Sequence, residues 1–397
     1  MKIKIVTLSI LLFSFSCKSQ DKSLFEISPP DFSDSTIALS EIADDIKYIP
    51  LDNQYPIGMR FCVKTNSDNI YISIKDIGVV QFDRHGKFVR NIGRVGIGPG
   101  EYRGMYFTVD ETNERVYILD KDKILVYNKN GTFHRDFSYK EYIAGGDGGA
   151  GGIEMFKSLL FLPDYSINGN SKFDWIFLDT LGNLVSKKEN SIQTSERGYI
   201  PRGDYYKFEN KIFYFNCFND TLFSISPDFK AYATYLFSPN ISRALIESDN
   251  NPLSQLNRLF RIGDMFETKR NLFLYYGHYD KVAFMLIDKS SKRASLAYEK
   301  ERTGRSVSTR ASIKNDLDGG IPLTITPENN ILYYYVENDS EYIASFINAS
   351  ELKAYITSDE FNSSSPKNPE RKREIEALGK NIKETDNPIL MTVRLKK

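Results

Sequence analysis

Arginine and tyrosine recur where this chain could do chemistry. Arg94 and Arg103 lie in a glycine-rich stretch, "GRVGIGPGEYRG" (Gly93–Gly104), which also carries Glu101 and Tyr102. Arg197 and Arg202 come shortly before Tyr205 and Tyr206, Arg258 lies near Arg261, and Arg302, Arg305 and Arg310 form a last group. A guanidinium is a planar fork of donors suited to carboxylate, sulfate or phosphate. Tyrosine rings offer flat faces on which a sugar can stack. Other chemistry is thinly represented. His85, His134 and His278 are scattered, and no CxxC, HxxxH or HExxH spacing occurs, so neither a zinc site nor a cofactor is expected. No DxDxDG calcium loop and no GxSxG nucleophile turn is present. Cys62 and Cys217 make no disulfide framework and read as small buried hydrophobes.

The glycine-rich stretch resembles a phosphate loop only in composition. Such a loop needs a helix after it, whose N-terminal N–H groups meet the phosphate. Here "MYFTVD" follows, which is a strand, and no Gly-Lys-Ser/Thr is present. Gly98, Pro99 and Gly100 therefore read as a structural loop, a stiffened crossing between elements where φ > 0 is needed. Glu101 and Tyr102 ride on that crossing. They either face a ligand or lock two neighbouring elements together.

The elements that position these residues form a repeat. A short apolar run occurs six times: "NIYISI", "RVYILD", "LLFLPD", "KIFYFN", "NLFLYY" and "ILYYYV". The spacings between them are 46, 44, 52, 60 and 60 residues. A second strand follows five of the runs and ends in a tight turn: "DRHG", "NKNG", "DTLG" and the degenerate "SPDF" and "DKSS". Asp or Asn followed by Gly supplies the left-handed residue of a hairpin. With one strand before each run and one after each turn, the unit is four antiparallel strands. Six such units spell an all-β, six-bladed β-propeller over residues 44–397, after a linker at 18–43. The turn that should follow "ILYYYV" is missing. The strand in "NPILMTVRLKK" then becomes the third of the last blade, and the early strand around Asp44–Asp52 its fourth, so the two ends of the chain close the ring.

On this reading the arginine-bearing segments are the links between blades. They share a face with the turns that carry Asp76, Asp122, Asp164, Asp220, His278 and Asp280. The ligand-binding candidates are Arg94, Glu101, Tyr102, Arg197, Arg202, Arg261, His278 and Arg305, facing a glycan or small anionic ligand. The alternative is that the loop arginines are solvated or pair with those acidic turns. Two insertions, at residues 240–260 and 366–385, should form short helices. In the second, Asn368 is a candidate N-cap and Pro369 the first helical residue, with Ile375, Leu378 and Ile382 as an apolar stripe.

The N-terminus reads as an export signal. Lys2 and Lys4 precede an apolar run of 12 residues, "IVTLSILLFSFS", too short to span a bilayer, and Cys17 follows. A cysteine directly after a signal core resembles a bacterial lipoprotein site, so residues 1–17 are expected to be a lipoprotein signal with Cys17 as the anchor, the alternative being an ordinary signal peptide cut nearby. Together with the "IGxxGxGPGEY" element, the "YxxxGxF"-type turns and the "DNPILMTVRLKK" terminus, Cys17 makes the chain resemble the six-bladed β-propeller lipoproteins of Bacteroidetes, relatives of NHL-repeat propellers. The resemblance implies the fold and a cell-envelope location at the outer membrane. It implies no settled activity.

The formal net charge is +0, so no basic field marks a nucleic-acid partner. The expectation is a monomeric, lipid-anchored binding protein rather than an enzyme. The alternatives are a scaffold for an envelope protein partner and a polysaccharide-acting lyase or glycosidase.

Overall fold

The structure, a computed structural model, describes residues 24–28, 37–142, 150–164, 172–190, 203–215, 220–237, 261–278, 281–303, 306–324 and 332–397. Cys17, Arg197, Arg202, Cys217 and Arg305 lie outside these, as do the side chains of Arg261 and His278 and all of residues 240–260.

Six antiparallel sheets form the six blades of a β-propeller. Blade 1 runs through Arg60–Thr65, Asn69–Ile74, Gly78–Asp83 and Phe88–Ile92, and blade 2 through Tyr106–Asp110, Arg115–Asp120, Lys123–Asn128 and Phe133–Ser138. Blade 3 comprises Glu154–Phe156, Leu159–Pro163, Phe173–Asp179 and Leu184–Glu189, and blade 4 Asp204–Phe208, Lys211–Phe215, Thr221–Ile225 and Ala231–Phe237. Blade 5 starts with Arg261–Glu267, Asn271–His278, Lys281–Asp288 and Ala294–Thr303, and is widened by Ser306–Ile313 and Leu323–Thr324. Blade 6 takes Tyr333–Glu337, Ser340–Ile347, Ile389–Leu395 and, as its outermost strand, Ala43–Pro50. The second and third strands are buried on both faces, "NIYISI" along its whole length. This explains why they read as continuous apolar runs rather than alternating ones.

Closure by the chain ends is as expected. Ala43–Pro50 pairs antiparallel with Ile389–Leu395, with Ile46 opposite Val393. The N-terminal segment reaches further than that. Phe25–Ile27 adds a parallel strand to the outer edge of blade 4, and Ile27 is buried there. The Leu39 N–H then donates to the Lys314 carbonyl at 2.8 Å, and the Ser40 hydroxyl donates to Asp316 at 2.6 Å. One segment thus straps blades 4, 5 and 6.

The turns between third and outer strands are the joints between blades. In blade 1, Asp83 Oδ1 accepts from the N–H groups of His85 and Lys87 at 2.8 and 2.9 Å, and Gly86 sits at φ 82°. Gly86 also lies against the end of the preceding blade, where its carbonyl accepts from the Asp52 N–H at 2.8 Å. Gly131 repeats the arrangement against Asn91. The degenerate turns keep the conformation without the glycine: Phe229 and Lys292 take φ 64° and 59°. Phe229 recovers packing against Phe177, with ring centroids 5.2 Å apart. Lys292 is exposed and places only its ammonium over the Phe25 ring. Lys292→Gly therefore removes left-handed strain and raises stability by about 1 kcal/mol, measured as a higher midpoint in thermal unfolding.

Two sequence expectations are corrected. "ILYYYV" is the inner strand of blade 6, not its second. The second is Ser340–Ile347, reached through a hairpin whose residues Asn338 and Asp339 are both left-handed. The widening of blade 5 displaced the count. For the same reason the segment Glu301–Arg310 is no blade link but the hairpin between Ala294–Thr303 and Ser306–Ile313.

The helix Pro369–Asn381 forms as its sequence indicates. The Asn368 side chain accepts from the Arg371 N–H at 3.2 Å, and Ile375 is fully buried. Arg371 pairs with Asp45 on the closing strand at 3.0 Å, so the helix braces the outer flank of blade 6. Helices Ala349–Ile356 and Asp359–Ser363 precede it. No described helix is long and apolar enough to cross a membrane.

Candidate functional site

The inner strands of all six blades surround a cavity of about 1040 Å³, the axial channel of the propeller. The first strand of a blade has a neighbour on one edge only, so the ring of first strands leaves a central space that side chains must line. Here the lining mixes apolar and aromatic side chains with polar and charged ones. Arg60, Cys62 and Lys64 come from blade 1, Glu154 from blade 3, Asp204, Tyr205 and Lys207 from blade 4, Asp264 from blade 5, and Tyr333 and Tyr335 from blade 6. No residue of the blade 6 helices reaches it.

Two groups of charge occupy this wall. In the first, Lys64 and Lys207 converge on Glu154. Lys64 pairs with one carboxylate oxygen, and Lys207 Nζ lies 3.6 Å from the other. Burial disfavours the Glu154 charge, but the two ammonium groups outweigh it and hold the carboxyl below its ordinary range. Two ammoniums share one carboxylate, so one positive charge is left over. The Lys207 ammonium also donates to the Met155 carbonyl at 3.3 Å, and the Tyr205 hydroxyl donates to the Ile153 carbonyl at 3.3 Å.

In the second group, Asp204 of blade 4 lies within reach of the charge of Asp264 on blade 5. Asp204 accepts from its neighbour Tyr205 N–H at 2.7 Å and from the Met265 N–H at 2.6 Å. The Met265 N–H is free to donate there because the inner strand of blade 5 bulges between Gly263 and Phe266. Asp264 sits in that bulge at φ 43°, a left-handed conformation costly for a non-glycine residue and common at functional sites. Its carboxylate opens onto the channel, yet protein walls enclose it and leave little bulk water to solvate a charge. Burial raises Asp264 to about 6. Burial, and then the charge of Asp264, raise Asp204 to about 7.

These shifts fix a pH dependence. The folded state holds a proton on Asp204 that the unfolded chain releases near 3.8, so between these values the folded form binds more protons. Stability is lost as pH rises from the ordinary carboxylate range through about 7. Thermal unfolding should show a midpoint that falls between pH 5 and pH 8 (a range set by that window), and Asp204→Asn should flatten the fall.

Arg60 and Cys62 also line the channel. Arg60 is buried with its guanidinium 4.5 Å from the centre of the Phe346 ring, and burial lowers its pKa. Burial also raises the Cys62 thiol, which keeps it protonated and poorly nucleophilic.

The blade links place their residues differently. Arg94 is exposed on the first link. Tyr102 is 1% exposed, its oxygen accepting from the Val79 N–H and its hydroxyl donating to the Ile92 carbonyl, both at 2.8 Å. Glu101 turns inward and accepts from the Gly98 N–H at 2.9 Å. Arg94–Val95 pairs parallel with Glu101–Tyr102, and Gly100 is left-handed at φ 70°. Gly98, Pro99 and Gly100 thus form the tip of a loop clasped at its base. In this geometry Tyr102 locks the link to blade 1, and Glu101 closes the loop on itself.

The channel residues Lys64, Glu154, Asp204 and Asp264 were not singled out in the sequence, although Tyr205 was. A signal was present. "RFCVKT", "DYYKF" and "RIGDMFE" carry charges in strands that lead into the most apolar runs of their blades.

A family profile described as a domain of unknown function, DUF4934, matches residues 26–394. A solved Bacteroides fragilis protein assigned as exported aligns over 94% of this chain and 99% of its own, at 20% identity and a TM-score of 0.65. That likeness is one of fold. A Bacteroides thetaiotaomicron protein of unknown function aligns over 91% of this chain and 75% of its own at 11% identity, with a TM-score of 0.46. A catalytically inactive virginiamycin B lyase of Staphylococcus aureus, solved with quinupristin, aligns over 88% and 99% at 10% identity and 0.44. No curated protein matches the chain in sequence.

Proposed function

The chain belongs to the DUF4934 family, and from that premise we propose that it is an exported cell-envelope propeller that binds a ligand in its axial channel. The ligand is a glycan or other small molecule bearing an anionic group. The observation that carries this reading is the convergence of Lys64 and Lys207 on the single carboxylate of Glu154 inside a cavity of about 1040 Å³. An interior lined this way has not been filled by packing, and its surplus positive charge has no described counterion. Tyr205 and Tyr333 also line the channel and add aromatic surface to its few charged groups, a mix that small-molecule sites favour. The size suits a ligand of a few rings.

Export rests on the signal-like segment that ends at Cys17, where diacylation would hold the protein on a membrane surface. A thermal-shift series with matched neutral and acidic sugars tests the ligand class. Acidic sugars should raise the unfolding midpoint in proportion to the logarithm of their concentration above Kd, and neutral ones should not. Equal shifts from both would refute an anionic ligand.

A further inference from the structure

Besides its lysines, the channel holds a second charged site that an anionic ligand does not use. Asp264 points into the channel, and no described residue donates a hydrogen bond to its carboxylate or pairs with it. It sits in the bulge of the inner strand of blade 5, at φ 43°. Asp204 lies beside it, positioned by the Met265 N–H that the same bulge releases. Burial costs both carboxyls hydration and raises both, and the charge of Asp264 raises Asp204 further. A cation placed at them would relieve both penalties. Asp204 and Lys207 are three residues apart on one inner strand, about 10 Å along it, and project from its opposite faces toward blades 5 and 3. That distance is within the reach of one small ligand. The acidic site draws on blades 4 and 5, and the basic one on blades 1, 3 and 4.

We propose that the channel takes a zwitterionic ligand, its ammonium group held by Asp204 and Asp264 and its anionic group by Lys64 and Lys207. This rests on the reading of the channel as the binding site and adds the second charge. The class includes amino acids, short peptides and sugars bearing both an amino and an acidic group.

Calorimetric titration of the full chain with aminohexanoate, hexanoate and hexylamine tests the proposal, since the three share one carbon chain and differ only in charge. Aminohexanoate should bind about tenfold more tightly than hexanoate, the gain from one charge-assisted contact. Asp264→Asn should remove that advantage while leaving hexanoate binding intact, which also shows that the variant is folded. Hexanoate binding as tightly as aminohexanoate would overturn the zwitterion and leave the anion site standing. An unchanged advantage in Asp264→Asn would overturn it as well. No binding by any of the three would overturn both this inference and the channel reading beneath it.

Discussion

Ile46→Asp leaves little folded protein. Ile46 is 1% exposed in the middle of the closing strand, opposite Val393, within the apolar cluster that joins blades 5 and 6. An unpaired carboxylate there costs the lost burial plus the desolvation of a charge, about 4–5 kcal/mol in all. Domains of ordinary stability have about 5–15 kcal/mol to lose. The damage is not local, because Ala43–Pro50 is what joins the end of the chain to its beginning. Without it the third strand of blade 6 becomes an open edge, a template for aggregation. Lys47→Asp, one residue along on the exposed face, should change stability by no more than about 0.5 kcal/mol. Denaturant unfolding of the pair checks both values. A folded Ile46→Asp of near-native stability would mean that the N-terminal strand does not close the ring.

The second large effect is at Gly86. Gly86→Ala puts a side chain at φ 82°, which costs about 1–2 kcal/mol. The new Cβ would also lie 2.1 Å from the Pro50 carbonyl oxygen, a backbone atom that cannot swing aside. The two together should cost about 3 kcal/mol or more. At Gly182 the φ is similar, but the obstacle is the Phe137 ring, which can rotate. Gly182→Ala should therefore cost less than Gly86→Ala, and chemical denaturation of the two variants gives the order directly. Equal losses would mean that φ alone decides.

The glycine in these turns shows what the sequence made legible. "DRHG" and "NKNG" announce hairpins by their Asp or Asn and their Gly, because local backbone chemistry demands those residues. Repeated at blade spacing, they reveal the propeller. Where blade 5 widens, the same counting fails, and "ILYYYV" is taken for a second strand when it is an inner one. The hairpin signal that corrects it, Asn338–Asp339, has no glycine to mark it. The site was harder to read for a physical reason. Arg94 and the other link arginines look functional because they are charged and lie in loops. Lys64, Glu154, Asp204 and Asp264 lie in strands from four blades and meet only when the ring closes, so no spacing along the chain brings them together. Tyr102 has the opposite fate. It sits in a glycine-rich loop yet is buried, and both of its hydrogen bonds are spent on blade 1.

The central claim is that ligand binds inside the channel and not on the links. Calorimetric titration of glucuronate into the wild type, Lys64→Met and Arg94→Ala tests it most directly. Met keeps the apolar stem of Lys64 and removes the charge. The account predicts that wild type and Arg94→Ala bind alike and that Lys64→Met loses about tenfold or more in affinity. Binding that survives in Lys64→Met and disappears in Arg94→Ala would contradict it and move the ligand to the face of the links.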